Sequence, residues 1–371
     1  MTSHGGTPVT ERGVCWNTSN NPTIANNKSV DNYFKVRNFA SFLTPLIANT
    51  TYYVRAYAIN SAGISYGNEV SFTTLGGFIL NDQIYSLASD AAGNIYRVGR
   101  FSNISGKMYI GKLNNIAWSE LGSLNANSNI LSIITDGSNN IYAGGVFTNS
   151  GGKYYVAKWN CSTWPELGEL NANYTIKALA IDASNNIYAG GLFTNSSGKM
   201  YVSKWNETTW SEVGSLNAND AINSITTNNS GNIYAVGAFK NSSGKRYVAK
   251  WNGVNWSEVG NVAAVLNIVR DINILVCDAS NNLYSAGNFL NTKGKVAKWN
   301  GILWSEMGAG IGLIPANGGG SIDDLMFDNA GNLYAVGNVK NADGKTFVAK
   351  WNGISWDEFG IGFGALTDGQ V

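Results

Sequence analysis

Four aspartates stand outside the regular pattern of this sequence: Asp220, Asp271, Asp323 and Asp324. They are the carboxylates best placed for acid–base work. Two carboxyl groups about 5–10 Å apart across a cleft can cleave a glycosidic bond. Asp271, Asp323 and Asp324 fall, with Arg270, in stretches 261–271 and 309–324. Other side chains narrow the chemistry. His4 is the single histidine, so Ser-His-Asp, Cys-His and His-ligated metal sites are excluded from the rest of the chain. Cys15, Cys161 and Cys277 are scattered and odd in number, which gives no disulfide framework and no CxxC pair. Asp182, Ser184 and Asn186 alternate oxygens as a calcium loop does, but one formal charge and no downstream Glu argue against a cation. No metal or cofactor is expected.

These residues must be positioned by a repeat. An Asp or Asn, followed four residues later by Asn, an aliphatic residue and Tyr, recurs at 90–96, 136–142, 182–188, 228–234, 278–284 and 328–334. The spacing is 46, 46, 46, 50 and 50 residues. Within the third copy, Ile176–Ile181, Ile187–Phe193, Met200–Trp205 and Trp210–Gly214 read as four strands. The turn 182–186 joins the first two, because Asp and Asn bond their own backbone and tolerate positive φ. From the second strand to the third runs a polar loop at 194–199, and a hairpin turn at 206–209 leads to the fourth.

Tryptophans five apart span that last turn at 159/164, 205/210, 251/256, 299/304 and 351/356, with Leu113 facing Trp118 in the first copy. Such a separation predicts cross-strand pairs, each worth roughly 0.2–1 kcal/mol. The glycines at 99, 145, 191, 237, 287 and 337 sit inside the second strand and predict close backbone approach. Third-strand lysines (158, 204, 250, 298, 350) and the glutamates after each second Trp (166, 212, 258, 306, 358) are expected to pair across the hairpin.

The stretch Ile181-Asp-Ala-Ser-Asn-Asn-Ile-Tyr-Ala-Gly-Gly191 and its five counterparts resemble bacterial propeller repeats of the NHL, kelch and SBBP kind. The resemblance covers about residues 83–360 and implies an all-β β-propeller of six four-stranded blades. Residues 360–371 read like the connector into another copy: either this tail packs back on the first blade, or the natural chain carries a seventh.

Residues 1–75 differ in character. Leu46, Tyr52, Arg55 and Asn60 resemble strand F of a fibronectin type III domain, with Tyr52 as its tyrosine corner. The resemblance implies a partial β-sandwich, since only nine residues precede the strand-like stretch at Thr10. The organisation expected is therefore a partial fibronectin-like domain at 1–75, a linker at 76–82 and the propeller at 83–371.

Propeller connectors and the loops between second and third strands gather on one face. Here they carry Asn127, Asn173, Asn219 and Asp220, with Arg270, Asp271, Asp323 and Asp324 from the lengthened connectors. From the blade Trp to the next turn residue is 18 residues after Trp118, Trp164 and Trp210, but 22 after Trp256 and 24 after Trp304. These eight residues are the expected ligand site, for a glycan or a protein, through many weak hydrogen bonds. A net charge of +1 gives no nucleic-acid surface, and no apolar run reaches the ~18 residues of a membrane span. Phrases such as Arg12-Gly-Val-Cys-Trp16 and Gly67-Asn-Glu-Val70 look like those of secreted bacterial proteins. The sequence therefore favours a monomeric extracellular or cell-surface binding and adhesion scaffold without catalysis. The alternative is a polysaccharide hydrolase or lyase using the carboxylates of the irregular connectors.

Overall fold

The computed structural model describes residues 7–31, 39, 41, 43–44, 46–47, 50–74, 84–114, 117–262, 268–289, 295–311, 320–328, 330–337, 341 and 347–358. They fall in two compact units, Met1–Ile79 and Leu80–Val371.

The first unit is one antiparallel sheet. Strand Thr51–Asn60 pairs with Glu11–Asn17, which pairs with Asn27–Val30. Gly63–Tyr66 and Val70–Thr73 also pair with Thr51–Asn60. Trp16, Tyr52 and Val54 form its core. The Tyr52 hydroxyl accepts the Ile47 amide at 3.0 Å, pinning the chain five residues upstream. A fibronectin sandwich needs a second sheet, and the described residues form only one.

The second unit holds six blades, each an antiparallel sheet. Their first strands are Ile84–Ser89, Ile130–Thr135, Ile176–Ile181, Ile222–Thr227, Ile268–Cys277 and Gly320–Phe327. The second strands are Ile95–Gly99, Ile141–Gly145, Ile187–Gly191, Ile233–Gly237, Leu283–Phe289 and Leu333–Gly337. Short third and fourth strands complete each blade; in blade 2 the fourth is reduced to the bridge Ala157↔Glu166. First strands pack on first strands of neighbouring blades, so they line the propeller axis. The all-β, six-bladed propeller read from the repeat is the fold observed.

Each first turn is locked by its own Asp. One Asp136 oxygen accepts the amides of Ser138 and Asn140 at 2.9 and 2.8 Å. The other accepts Asn140 Nδ2 at 2.7 Å and the Tyr142 hydroxyl at 3.0 Å. The same four bonds recur around Asp90, Asp182, Asp278 and Asp328. In Asp182, the alternating oxygens thus serve a turn. Blade 4 has Asn228 instead, with Asn228 Nδ2 donating to Tyr234 at 3.3 Å.

Tryptophans join one blade to the next. The paired rings face each other with centroids 5.2–5.8 Å apart. The second Trp also reaches back: Trp164, Trp210, Trp256, Trp304 and Trp356 donate Nε1 to the carbonyls of Leu121, Leu167, Val213, Val259 and Met307 in the preceding blade. The first Trp lies on a glycine of that same blade. A Cβ on Gly168, where φ is +58°, would come within 2.2 Å of the Trp205 ring. Only glycine combines this backbone with this contact.

The expected Lys–Glu pairs do not form, and register explains why. Ser203 pairs with Glu212 while Lys204 pairs with Ser211. Neighbouring positions point to opposite faces, which separates the two charges. Each lysine lies instead over the blade tyrosine, as Lys204 does at 5.7 Å from the Tyr188 ring. Four of the glutamates are held by loop amides, as Glu212 is by Asn195 Nδ2 at 3.1 Å, and Glu306 pairs with a different lysine, Lys295, at 2.5 Å.

Two outcomes follow. Gly168→Ala should lower stability by about 2–4 kcal/mol, from left-handed strain and overpacking on Trp205, against about 1 kcal/mol for Trp210→Phe; urea unfolding measures both. Burial alone would raise the Asp136 carboxyl, but hydrogen bonds from Asn140, Tyr142 and Ser138 outweigh it, so its pKa lies below the usual value. A depressed folded pKa gives stability that is full above the unfolded value of about 3.9 and lost as pH falls through the folded value. The stability gap between wild type and Asp136→Asn should therefore be widest above about pH 5 and close below about pH 4.

Candidate functional site

Every first strand carries a β-bulge at one register position. The glycine opposite permits it: a Cβ on Gly145, Gly191, Gly237, Gly287 or Gly337 would fall 2.0–2.3 Å from a carbonyl in, or one residue ahead of, the first strand. This is the close backbone approach predicted for those glycines. The bulged residues, five before each turn Asp or Asn, are Tyr85, Leu131, Lys177, Asn223, Asn273 and Asp323. Blades 1 and 2 thus bring apolar groups to the axis, and blades 3 to 6 bring Lys, Asn, Asn and Asp.

The four polar residues form an arc. Lys177 Nζ donates to Asn223 Oδ1 at 2.6 Å. Asn223 Nδ2 donates to the Ile272 carbonyl at 3.2 Å. Asn273 Nδ2 donates to Asp323 Oδ1 at 3.1 Å and to Asn288 Oδ1 at 2.7 Å. Beside the arc, Arg246 Nη2 meets Asp271 Oδ1 at 3.1 Å. Burial lowers the Lys177 pKa, with Asp271 and Asp220 opposing. Burial raises Asp323, against hydrogen bonds from Ser321 and Asn273. Both groups move toward neutrality.

The residues singled out from sequence divide. Asp323 is in the arc, and Asp271 and Asp220 act on Lys177. Asp220 itself accepts the Ala221 amide at 2.7 Å. Asp324 takes the register of Ser132 and Ser224, whose hydroxyls accept the Leu179 and Leu275 amides of the next blade at 3.1 and 3.2 Å. It belongs to a blade face rather than the axis. Burial pushes its carboxyl up to about 7, the Leu325 amide opposing and Asp323 adding to the rise. Asn127 and Asn173 brace their connectors against Thr148 and Thr194. Asn219 does the same with the backbone of Lys240. Arg270 lies in the first strand of blade 5, its side chain outside the described residues. Lys177, Asn223 and Asn273 escaped the sequence reading because only Asp323 fell in a lengthened connector. Their common offset from the turn residue was the signal that could have found them.

Among the described residues, no cluster of three or more His, Cys, Asp or Glu is placed to hold a metal. No described helix is long and apolar enough to cross a membrane. Two clefts of about 490 and 330 Å³ lie between adjacent blades, and neither is lined by the arc.

No family model and no curated protein matches the chain. Solved structures do match in fold. A puromycin-hydrolyzing peptidase of Mycobacterium tuberculosis has a TM-score of 0.51 at 9% identity, over 85% of this chain and 52% of that one. A gluconolactonase of Xanthomonas campestris has 0.40 at 10%, over 64% and 79%. The lectin of Aleuria aurantia has 0.40 at 14%, over 72% and 93%. The fold defines the class: a β-propeller. The expectation of a chain without catalysis is corrected here. The same fold carries a peptidase, so the scaffold does not argue against turnover, and function rests on the site.

Asp324 yields a prediction of its own. Its folded pKa is raised, so it costs stability once the pH exceeds the unfolded value of about 3.9, increasingly so up to about 7. Asp324→Ser should be more stable than wild type at pH 8, with the difference vanishing below about pH 4. Thermal melts across that range measure it.

Proposed function

We propose that the axial arc is an active site on carbohydrate, a polysaccharide hydrolase or lyase. One observation carries the reading: consecutive blades place Lys177, Asn223, Asn273 and Asp323 at one register position, Lys177 hydrogen-bonded to Asn223, Asn223 to the Ile272 carbonyl and Asn273 to Asp323. Amide groups flanked by one ammonium and one carboxyl suit a polyhydroxylated ligand. The apolar pair at the other blades, Tyr85 and Leu131, offers a surface for a sugar face. Protonated Asp323 would donate to the leaving glycosidic oxygen. Lys177, made easier to deprotonate by burial, would activate water in a hydrolase or withdraw a ring proton in a lyase.

This reading places the protein at the cell surface or outside the cell, where polymeric glycans are met. The fibronectin-like resemblance of residues 1–75 supports that location.

Purified protein is assayed on a polysaccharide panel for new reducing ends and for the ultraviolet absorbance of unsaturated products. Lys177→Met and Asp323→Asn should each lower kcat by about 10²–10⁴-fold. Reducing ends without absorbance mark a hydrolase; both together mark a lyase. Turnover that survives both substitutions, or none on any polymer, overturns the proposal.

A further inference from the structure

The five joints between blades 1 and 6 share one pattern of packed first strands, blades 5 and 6 adding a short strand pairing at Asn288↔Ser321, and among the described residues the outer faces of the two end blades repeat the same surfaces without a partner. Leu87 is 42% exposed, whereas Ile133, Leu179, Ile225, Leu275 and Leu325 at its register are 1–6% exposed. Ile95 is 38% exposed; Ile141, Ile187, Ile233, Leu283 and Leu333 are 0–3%. On the far side, Met326 of blade 6 is 46% exposed. The first strands of blades 1 and 6 do not pack on each other as those of all other neighbouring blades do.

Polar groups tell the same story. Trp118 makes no counterpart of the indole-to-carbonyl bond that the second Trp of each later blade makes to the blade before it. Arg97, directly across from Leu87 in register, replaces the Ala143, Ala189 and Ala235 of other blades. It is 1% exposed, packed under Trp118 with its guanidinium 4.3 Å from the ring, and its Nε and Nη2 have no partner. Gly111 makes room for it, since a Cβ there would lie 2.8 Å from Nε. A buried guanidinium with unpaired donors is costly.

We propose that a further four-stranded repeat of the same polypeptide docks between blades 6 and 1. The five existing joints state what it must bring. Its fourth-strand end offers a carbonyl to Trp118 Nε1. Its first strand carries an acidic residue at the register of Ser132, accepting from the Leu87 amide and from Arg97. Its other face gives an amide to Asp324, as Leu179 does to Ser132. A whole repeat, rather than direct contact of blades 1 and 6, is the fitting occupant: the first strands of those two blades do not pack on each other, and a repeat brings at the existing registers the acceptors that Trp118 Nε1 and Arg97 Nε and Nη2 lack.

Hydrogen exchange and melting test this on the 371-residue chain and on two versions extended by a copy of residues 130–175. One version carries Asp at the Ser132 register, the other keeps Ser. In the 371-residue chain, residues 84–99 should exchange at least 10-fold faster than 130–145, at every protein concentration. Leu87→Glu should then be nearly silent and Ile133→Glu strongly destabilising. Both extensions should slow exchange at 84–99 and make Leu87→Glu destabilising, the Asp version melting higher. Equal protection of 84–99 in the monomeric 371-residue chain would overturn the proposal in favour of direct closure. Protection that rises with concentration alongside a dimer in sedimentation would overturn it in favour of a second copy. Extensions that leave exchange at 84–99 unchanged would overturn it outright.

Discussion

A four-stranded sheet with two apolar faces cannot bury either face alone, and this constraint governs the whole propeller. Blades 2 to 6 hide Ile or Leu at the registers of Ile133 and Ile141 because another blade covers them, whereas Leu87 and Ile95 of blade 1 stay exposed. Everything local serves that joint. The Trp indole fixes how far one blade sits from the last, and the positive-φ glycine fixes how closely. The Asp turn holds the first two strands at the register that brings both faces into line.

Close packing at the joint is also what brings the bulged side chains to the axis. The second-strand glycine lets the first strand approach so near that one residue is squeezed out as a bulge. The bulge turns a side chain that would otherwise belong to a blade face toward its counterparts in neighbouring blades. Function can then vary at this one position without disturbing the joints, and the six blades use it for Tyr, Leu, Lys, Asn, Asn and Asp. The core tolerates little change, whereas the axial ring is free to diversify.

Electrostatics separates two aspartates that adjoin in sequence. Asp323 sits on the bulge with an amide donor at 3.1 Å and joins the arc. Asp324 sits one position on, at the register of a blade face, where burial raises its pKa without a cation to compensate. A shift of one residue across a bulge decides which is available for chemistry and which burdens stability.

The repeat itself determined the all-β class, the six blades, the turn at each Asp and the facing tryptophans, because these depend on contacts within about 50 residues of chain. Spacing alone was enough for Trp205 and Trp210, which lie on strands joined by a short turn. The Lys–Glu pairs failed because adjacency in a hairpin does not reveal which face each side chain takes. Asn127 and Asn173 looked free to bind a ligand, yet their partners, Thr148 and Thr194, lie 21 residues away across a loop. The arc of Lys177, Asn223, Asn273 and Asp323 was decided by tertiary structure. Its members are 46 to 50 residues apart, and only the closing of blade on blade, with a bulge at every axis strand, makes them neighbours.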